Sequence, residues 1–152
     1  MLDARFPWSS DLGKLVLRVA LGILFIPHGL PKLKNPAGFT GLLTQLHVPA
    51  PTFFAWLVAL LEVVGAAMLI VGLLTRLVGL GLAVEMLVAI LAVKIGMAHA
   101  PFTSTRQTAS WEFEFLLLAT ALGLAFLGSG RYGIDAALGR RRTATAGMAA
   151  TP

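Results

Sequence analysis

Three charged residues interrupt stretches that are otherwise apolar: Arg18, Glu62 and Glu85. A charge at the centre of a lipid-spanning helix costs roughly 2.5–3.5 kcal/mol even on the gentlest scale, so it is kept for a partner or a task. One guanidinium with two carboxylates can form a buried ion pair that fixes which helix faces which. It can equally form a site for a proton or a polar ligand. The count is uneven, because one Arg cannot neutralise two acids, and the surplus carboxylate takes up a proton or faces water. Arg18 with Glu62 is the preferred pair, which leaves Glu85 as the surplus acid, and pairing of Arg18 with Glu85 stays open.

A second group of chemically capable residues is His28, Lys32, Lys94, Glu112 and Glu114, with His99 and Arg106 nearby. An imidazole, two ammonium groups and two carboxylates can hold a ligand's carbonyl oxygens and carry protons. The same residues can also simply snorkel to headgroups and water. His28 and Lys32 are four apart and share a face if the helix persists, although Pro31 stands between them. Glu112 and Glu114 shorten an already short apolar run, which mere anchoring does not require. No His, Asp or Glu cluster has metal-ligand spacing.

The elements that must position these residues follow from the hydropathy. The chain is 57% hydrophobic and 12% charged, with a mean hydropathy of +0.84. A soluble domain of 152 residues has no room to hide that much apolar surface. Lipid is the alternative solvent, and four runs approach the ~20 residues needed to cross it: residues 12–30, 53–74, 77–98 and 111–128. The expected fold is an all-α membrane protein, a four-transmembrane-helix bundle within one domain, 1–138. A basic tail, 139–152, is expected to be mobile. Between the first two runs, Phe39, Leu42, Leu43 and Leu46 fall at helical spacing. They predict a short amphipathic helix on the outer interface. Phe53, Phe54, Trp56 and Trp111 read as interface anchors, and recurring Gly and Ala as close helix packing. By residue count Arg18, Glu62 and Glu85 lie at depths that agree within ~6 Å, close enough to meet.

The absence of cysteine excludes thiolate metal sites, Fe–S ligation and disulfide chemistry within the chain. No flavin or haem motif is present either. The first apolar run is read as retained, since no small-residue cleavage pattern follows it. The net charge of +5 reports orientation and not nucleic-acid binding. Arg5, Lys14, Arg76, Arg131 and Arg140–Arg142 fall on one side; Lys32, Lys34, Lys94 and Arg106 fall on the other. The excess places both termini in the cytoplasm.

The stretches "LVLRVALGILFIPHGLPKL", "HVPAP", "ALLEVVGAAMLIVGLLTR" and "WEFEFLLLATALGLAFLGSGRYGID" resemble the DoxX family from about residue 14 to 135. The resemblance rests on ordered motifs: L-R-x-x-L-G, H-G-x-x-K, V-P-x-P, E-x-x-G, G-L-x-T-R and G-x-G-R-Y-x-x-D. They place Arg18, His28, Gly29, Lys32, Glu62, Gly65, Thr75, Arg76, Glu114, Arg131 and Asp135 at motif positions. Glu85 departs from the pattern, standing where the family is usually apolar or small. The resemblance implies a four-helix protein of the bacterial inner membrane. Its relatives include the membrane subunit of a thiosulfate:quinone oxidoreductase and a membrane partner of superoxide dismutase and sulfurtransferase proteins. They also include distant cargo receptors that are not enzymes.

Three functions suit these residues. The first is a subunit of an oxidoreductase complex that anchors a redox partner and binds quinone near the outer interface through His28, Lys32, Lys94, Glu112 and Glu114. The second is a non-catalytic anchor or accessory subunit of a larger hetero-oligomeric assembly, with homo-oligomers also open. The third is a small proton or anion transporter built on Arg18, Glu62 and Glu85.

Overall fold

The computed structural model describes residues 9–103 and 109–140. Arg5, Arg106, Arg141, Arg142 and most of the expected tail lie outside them. Every regular element among the described residues is helical. Helix α1 spans Ser9–Lys34 and α2 Pro36–Gln45. A second long segment runs as α3 (Pro51–Leu60), one π-helical turn (Leu61–Gly65) and α4 (Ala66–Val71). The third is α5 (Thr75–Val88) continued by a π-helix, Ala89–Met97. Helix α6 spans Glu112–Leu127.

Three of these, over Ser10–Lys34, Pro51–Val71 and Thr75–Met97, are long and apolar enough to cross a membrane. At 16 residues, α6 falls short of the ~20 that a bilayer core asks for. The expected run 12–30 ends too early. Helix α1 continues through Pro27 and Pro31 to Lys34. The two prolines are one turn apart on the exposed face, so the carbonyls they free point away from the packed side.

Helix α1 packs on α3, the π turn and α4, and α5 packs on α6. The core is formed by Leu21, Phe25, Leu69, Leu82, Leu117 and Leu124 with small residues between them. The small residues set the spacing. A Cβ on Gly29 would lie 2.7 Å from the Glu62 Cβ, and one on Gly79 would lie 2.9 Å from the Ala121 carbonyl oxygen. These are the close approaches that hold helices together where lipid removes the hydrophobic drive.

One end of the bundle is knotted by the turn motifs. Helix α4 stops at Gly72, whose φ of +74° suits the left-handed closing position. Gly72 N–H bonds the Leu69 carbonyl and Leu73 N–H the Met68 carbonyl, a Schellman closure. Leu74 also adopts a positive φ, 49°, and Asp135 holds it there. The Asp135 carboxylate accepts the N–H groups of Leu74 and Thr75 at 2.8 and 3.0 Å, capping the N-terminus of α5. The Asp135 N–H donates to the Gly72 carbonyl. At the same end Asp11 accepts Lys14 Nζ and the Arg131 N–H.

Candidate functional site

The expected Arg18–Glu62 pair does not form, nor does an Arg18–Glu85 pair. Arg18 is fully buried, but its Nη1 donates to the Leu69 and Ile70 carbonyls at 3.2 and 3.3 Å. It satisfies the last carbonyls of α4 at the dipole's negative end. Gly72 leaves the room for it, since a Cβ there would collide with the guanidinium. Arg18 therefore belongs to the knotted end, as a helix-terminating cation.

The carboxylates find another partner. Lys32 Nζ lies 2.7 Å from Glu62 Oε1 and 2.6 Å from Oε2, hydrogen-bonding the first. The same ammonium is 3.7 Å from Glu85 Oε1 and 4.6 Å from the centre of the Phe39 ring, a cation–π contact. Lys32 thus gathers one acid from the second segment, one from the third and an aromatic from α2. The residue count separated these groups because it began every helix at one level. Gly29 packs on Glu62, which lies ~16 Å along its segment from Pro51, whereas Gly29 is only ~8 Å from the end of α1. The end of α1 is therefore sunk relative to the start of α3, and Lys32 is level with the buried acids. The π turn at Leu61–Gly65 aims Glu62 inward; such turns recur at functional sites.

These groups line a cavity of about 840 Å³, within the range of small-molecule sites. Helix α1 contributes Phe25, His28 and Lys32, and α2 contributes Phe39, Leu42 and Leu43, with Leu46 at its C-cap. The apolar residues at helical spacing in the sequence therefore line this cavity. Glu62, Glu85 and Glu114 complete the polar lining. The rest is aliphatic, and Leu57, Leu80, Val84 and Val88 both line the cavity and lie exposed on the bundle surface. Its open mouth thus runs along these aliphatic side chains of the second and third segments, which pack on each other mainly through α4, the π turn and α5.

Two carboxylate oxygens in this lining, Glu85 Oε2 and Glu114 Oε2, are buried and accept no hydrogen bond among the described residues, while Glu62 Oε2 is held by the Lys32 ammonium at 2.6 Å. His28 is exposed and lines the same space. Lys94 pairs with Glu114 at 2.8 Å and donates to the Ser110 carbonyl at 3.1 Å, bracing α6 from behind the cavity wall. Glu112 is absent from the lining and receives the Ser110 hydroxyl at 3.3 Å. In the first turn of α6 it also complements the helix dipole. Of the five residues expected at the outer site, His28, Lys32 and Glu114 line the cavity, Lys94 supports it, and Glu112 faces the loop. The aliphatic mouth gave no sequence signal, since its residues look like any lipid-facing surface.

The DoxX family profile matches residues 13–95, covering α1 to the π segment and thus the lysine–carboxylate cluster. The chain belongs to the DoxX family. Three DoxX-type relatives resemble it along most of their length. "Putative oxidoreductase CatD" of Bacillus subtilis is 35% identical over 127 residues, 84% of this chain and 87% of that protein. "Uncharacterized membrane protein Rv3486" of Mycobacterium tuberculosis is 31% identical, over 86% of this chain and 83% of its own. "Inner membrane protein YqjF" of Escherichia coli is 32% identical, over 87% and 96%. No solved structure matches the chain.

Proposed function

We propose that this DoxX protein is a membrane subunit of an oxidoreductase complex, and that its cavity takes a quinone from the bilayer. One observation carries the reading: a largely apolar cavity with an aliphatic mouth ends on His28, Lys32, Glu62 and Glu85. A quinone needs an apolar slot for its ring and tail, with groups at the two oxygens that hold or move protons. The cavity fits that need on its own chemistry, since an imidazole, an ammonium group and carboxyl groups stand beside an aliphatic lining. A bound quinone supplies the two-electron, two-proton chemistry that side chains lack. His28 presents an imidazole to one oxygen, and Lys32 holds the two acids together so that a proton can be carried between them. Electrons enter from a partner subunit or directly from a substrate. A relative named as an oxidoreductase supports the class.

In the same reading α6 crosses the membrane as a fourth helix beside α5, and α2 lies at the outer interface. The knotted end, with Lys14, Arg76 and Arg131, faces the cytoplasm of a bacterial inner membrane, by the basic-residue rule and in line with the E. coli relative's name. The test is purification in mild detergent, followed by extraction and quantification of bound quinone and co-purifying proteins. About one quinone per chain is expected, lost in Lys32→Ala and in Val84→Trp, which fills the mouth. Background quinone in the unaltered protein, with a stoichiometric redox enzyme bound, overturns quinone binding in favour of a non-catalytic anchor. Proton or anion flux in liposomes that Glu62→Gln abolishes favours a transporter.

A further inference from the structure

The knotted end carries a second cleft, of about 530 Å³, where the start of α5 meets the end of α6. Its apolar lining includes Leu74, Leu77 and Leu127, all three exposed on the bundle surface. Arg76, Ser129 and Gly130 are among its polar lining. Arg76 stands in the first turn of α5, beside the tight turn that joins two spanning segments, and so at the level of lipid headgroups. A Cβ on Gly128 would lie 3.2 Å from Arg76 Nε, so the glycine leaves room for the side chain across the end of α6. The exposed guanidinium makes no hydrogen bond or ion pair among the described residues. The nearby acid is committed elsewhere, since both Asp135 oxygens accept N–H groups of the α5 start. The N–H groups of Ser129 and Gly130 reach no backbone carbonyl among the described residues. Gly130 abuts Lys14 and Asp11, which pair with each other. Around the cleft, Lys14, Arg76 and Arg131 stand against Asp11 and Asp135, which leaves one positive charge in excess.

We propose that this cleft binds an anionic phospholipid of the phosphatidylglycerol type, a phosphodiester headgroup with no cation of its own. The phosphate takes the Arg76 guanidinium, whose planar fork matches phosphate oxygens. The Ser129 and Gly130 N–H groups stand in the same cleft as further donors. An acyl chain runs along Leu74, Leu77 and Leu127 into the bilayer. A zwitterionic headgroup brings its own cation and leaves the excess charge unmatched, and a free anion gains nothing from the three leucines. Leu77 lines both this cleft and the larger cavity, so the seated lipid borders the mouth through which a membrane-borne ligand enters. The site stands apart from the quinone reading and does not depend on it.

The experiment uses the full chain in a mild non-ionic detergent, stripped of endogenous lipid and titrated with dioleoyl-phosphatidylglycerol or dioleoyl-phosphatidylcholine under native mass spectrometry. A basic residue that merely faces an anionic surface contributes about fivefold, and the cleft should exceed it, with phosphatidylglycerol bound at least ~10-fold tighter. Arg76→Gln should remove that preference. Leu127→Trp, which fills the cleft and leaves every charge in place, should evict the lipid. Both side chains are exposed, and a native elution profile checks that each variant is folded. Equal binding of the two lipids by the unaltered protein overturns the proposal. Tight phosphatidylglycerol binding kept by either variant also overturns it: kept by Leu127→Trp, it reports only diffuse surface charge, and kept by Arg76→Gln, only apolar adhesion. Release of the lipid by excess inorganic phosphate overturns it as well, since the anion alone would then be recognised.

Discussion

Gly29 offers the sharpest test of how the site is assembled. A methyl group at this position would sit 2.7 Å from the Glu62 Cβ, 2.7 Å from Val63 Cγ2 and 3.1 Å from the Glu62 carbonyl carbon. Ordinary contact begins near 3.4 Å. Val63 can turn its methyl away, but the Cβ and carbonyl carbon of Glu62 are fixed to a helix. In Gly29→Ala, therefore, α1 must withdraw from the second segment by roughly 0.7 Å. Overpacking of this kind costs about 1–3 kcal/mol. Alanine's better helix propensity returns up to ~1 kcal/mol, so a matched control is needed. Gly13, on the same helix with nothing within 4 Å of its would-be Cβ, provides one. Gly29→Ala should be about 1–3 kcal/mol less stable than Gly13→Ala in SDS unfolding from mixed micelles. It should also hold less quinone, because the withdrawal stretches the 2.7 Å Lys32–Glu62 bond toward the limit of a hydrogen bond. Equal stability of the two variants would falsify the close approach of α1 to Glu62, and with it the depth assigned to Lys32.

Three further outcomes follow from the same contacts. Lys32→Met leaves Glu62 and Glu85 without their cation and should destabilise the protein toward the low end of the ~3–5 kcal/mol seen for buried pairs, since Lys32 is one-quarter exposed. The double variant Lys32→Met, Glu62→Gln should recover much of that loss; no recovery in the unfolding midpoint would mean that the pair is not coupled. Asp135→Ala removes a charged acceptor from two N–H groups of a partly exposed turn and should cost on the order of 1–3 kcal/mol, with quinone bound per folded chain unchanged. Because the chain lacks cysteine, Asn35→Cys and Arg140→Cys report topology directly. Membrane-impermeant maleimide should reach the first from the periplasm and the second from the cytoplasm, and labelling of both from one side would refute the orientation.

Much of this architecture was legible in the sequence because lipid imposes a simple rule: about 20 apolar residues make a helix. The three long segments and the spacing of Phe39, Leu42, Leu43 and Leu46 follow from it. The partners of the buried charges did not. Depth counting treats helices as parallel rods with flush ends, whereas α1 runs on through two prolines and ends below the start of α3. Lys32 therefore belongs with the buried acids, although the count leaves it at the surface. Arg18 misleads for a different reason. A guanidinium in lipid asks for any acceptor, and the carbonyls ending α4 are as good as a carboxylate, but no side chain in the sequence announces them. The π turn that aims Glu62 is equally silent, since one extra residue in a turn leaves no mark on composition. The motifs G-L-x-T-R and G-x-G-R-Y-x-x-D, which carry part of the family resemblance, are the two halves of one turn, joined by Asp135.

The mouth between the second and third segments changes what concentration means for this protein. A site that opens sideways samples a two-dimensional solvent, so its occupancy is set by mole fraction among lipids and not by molarity in buffer. Diluting a vesicle suspension a hundredfold should leave the cavity as full as before, while doubling the lipid at a fixed amount of ligand should begin to empty it. A modest intrinsic affinity then suffices, because the membrane has already concentrated every apolar ligand the cavity could take.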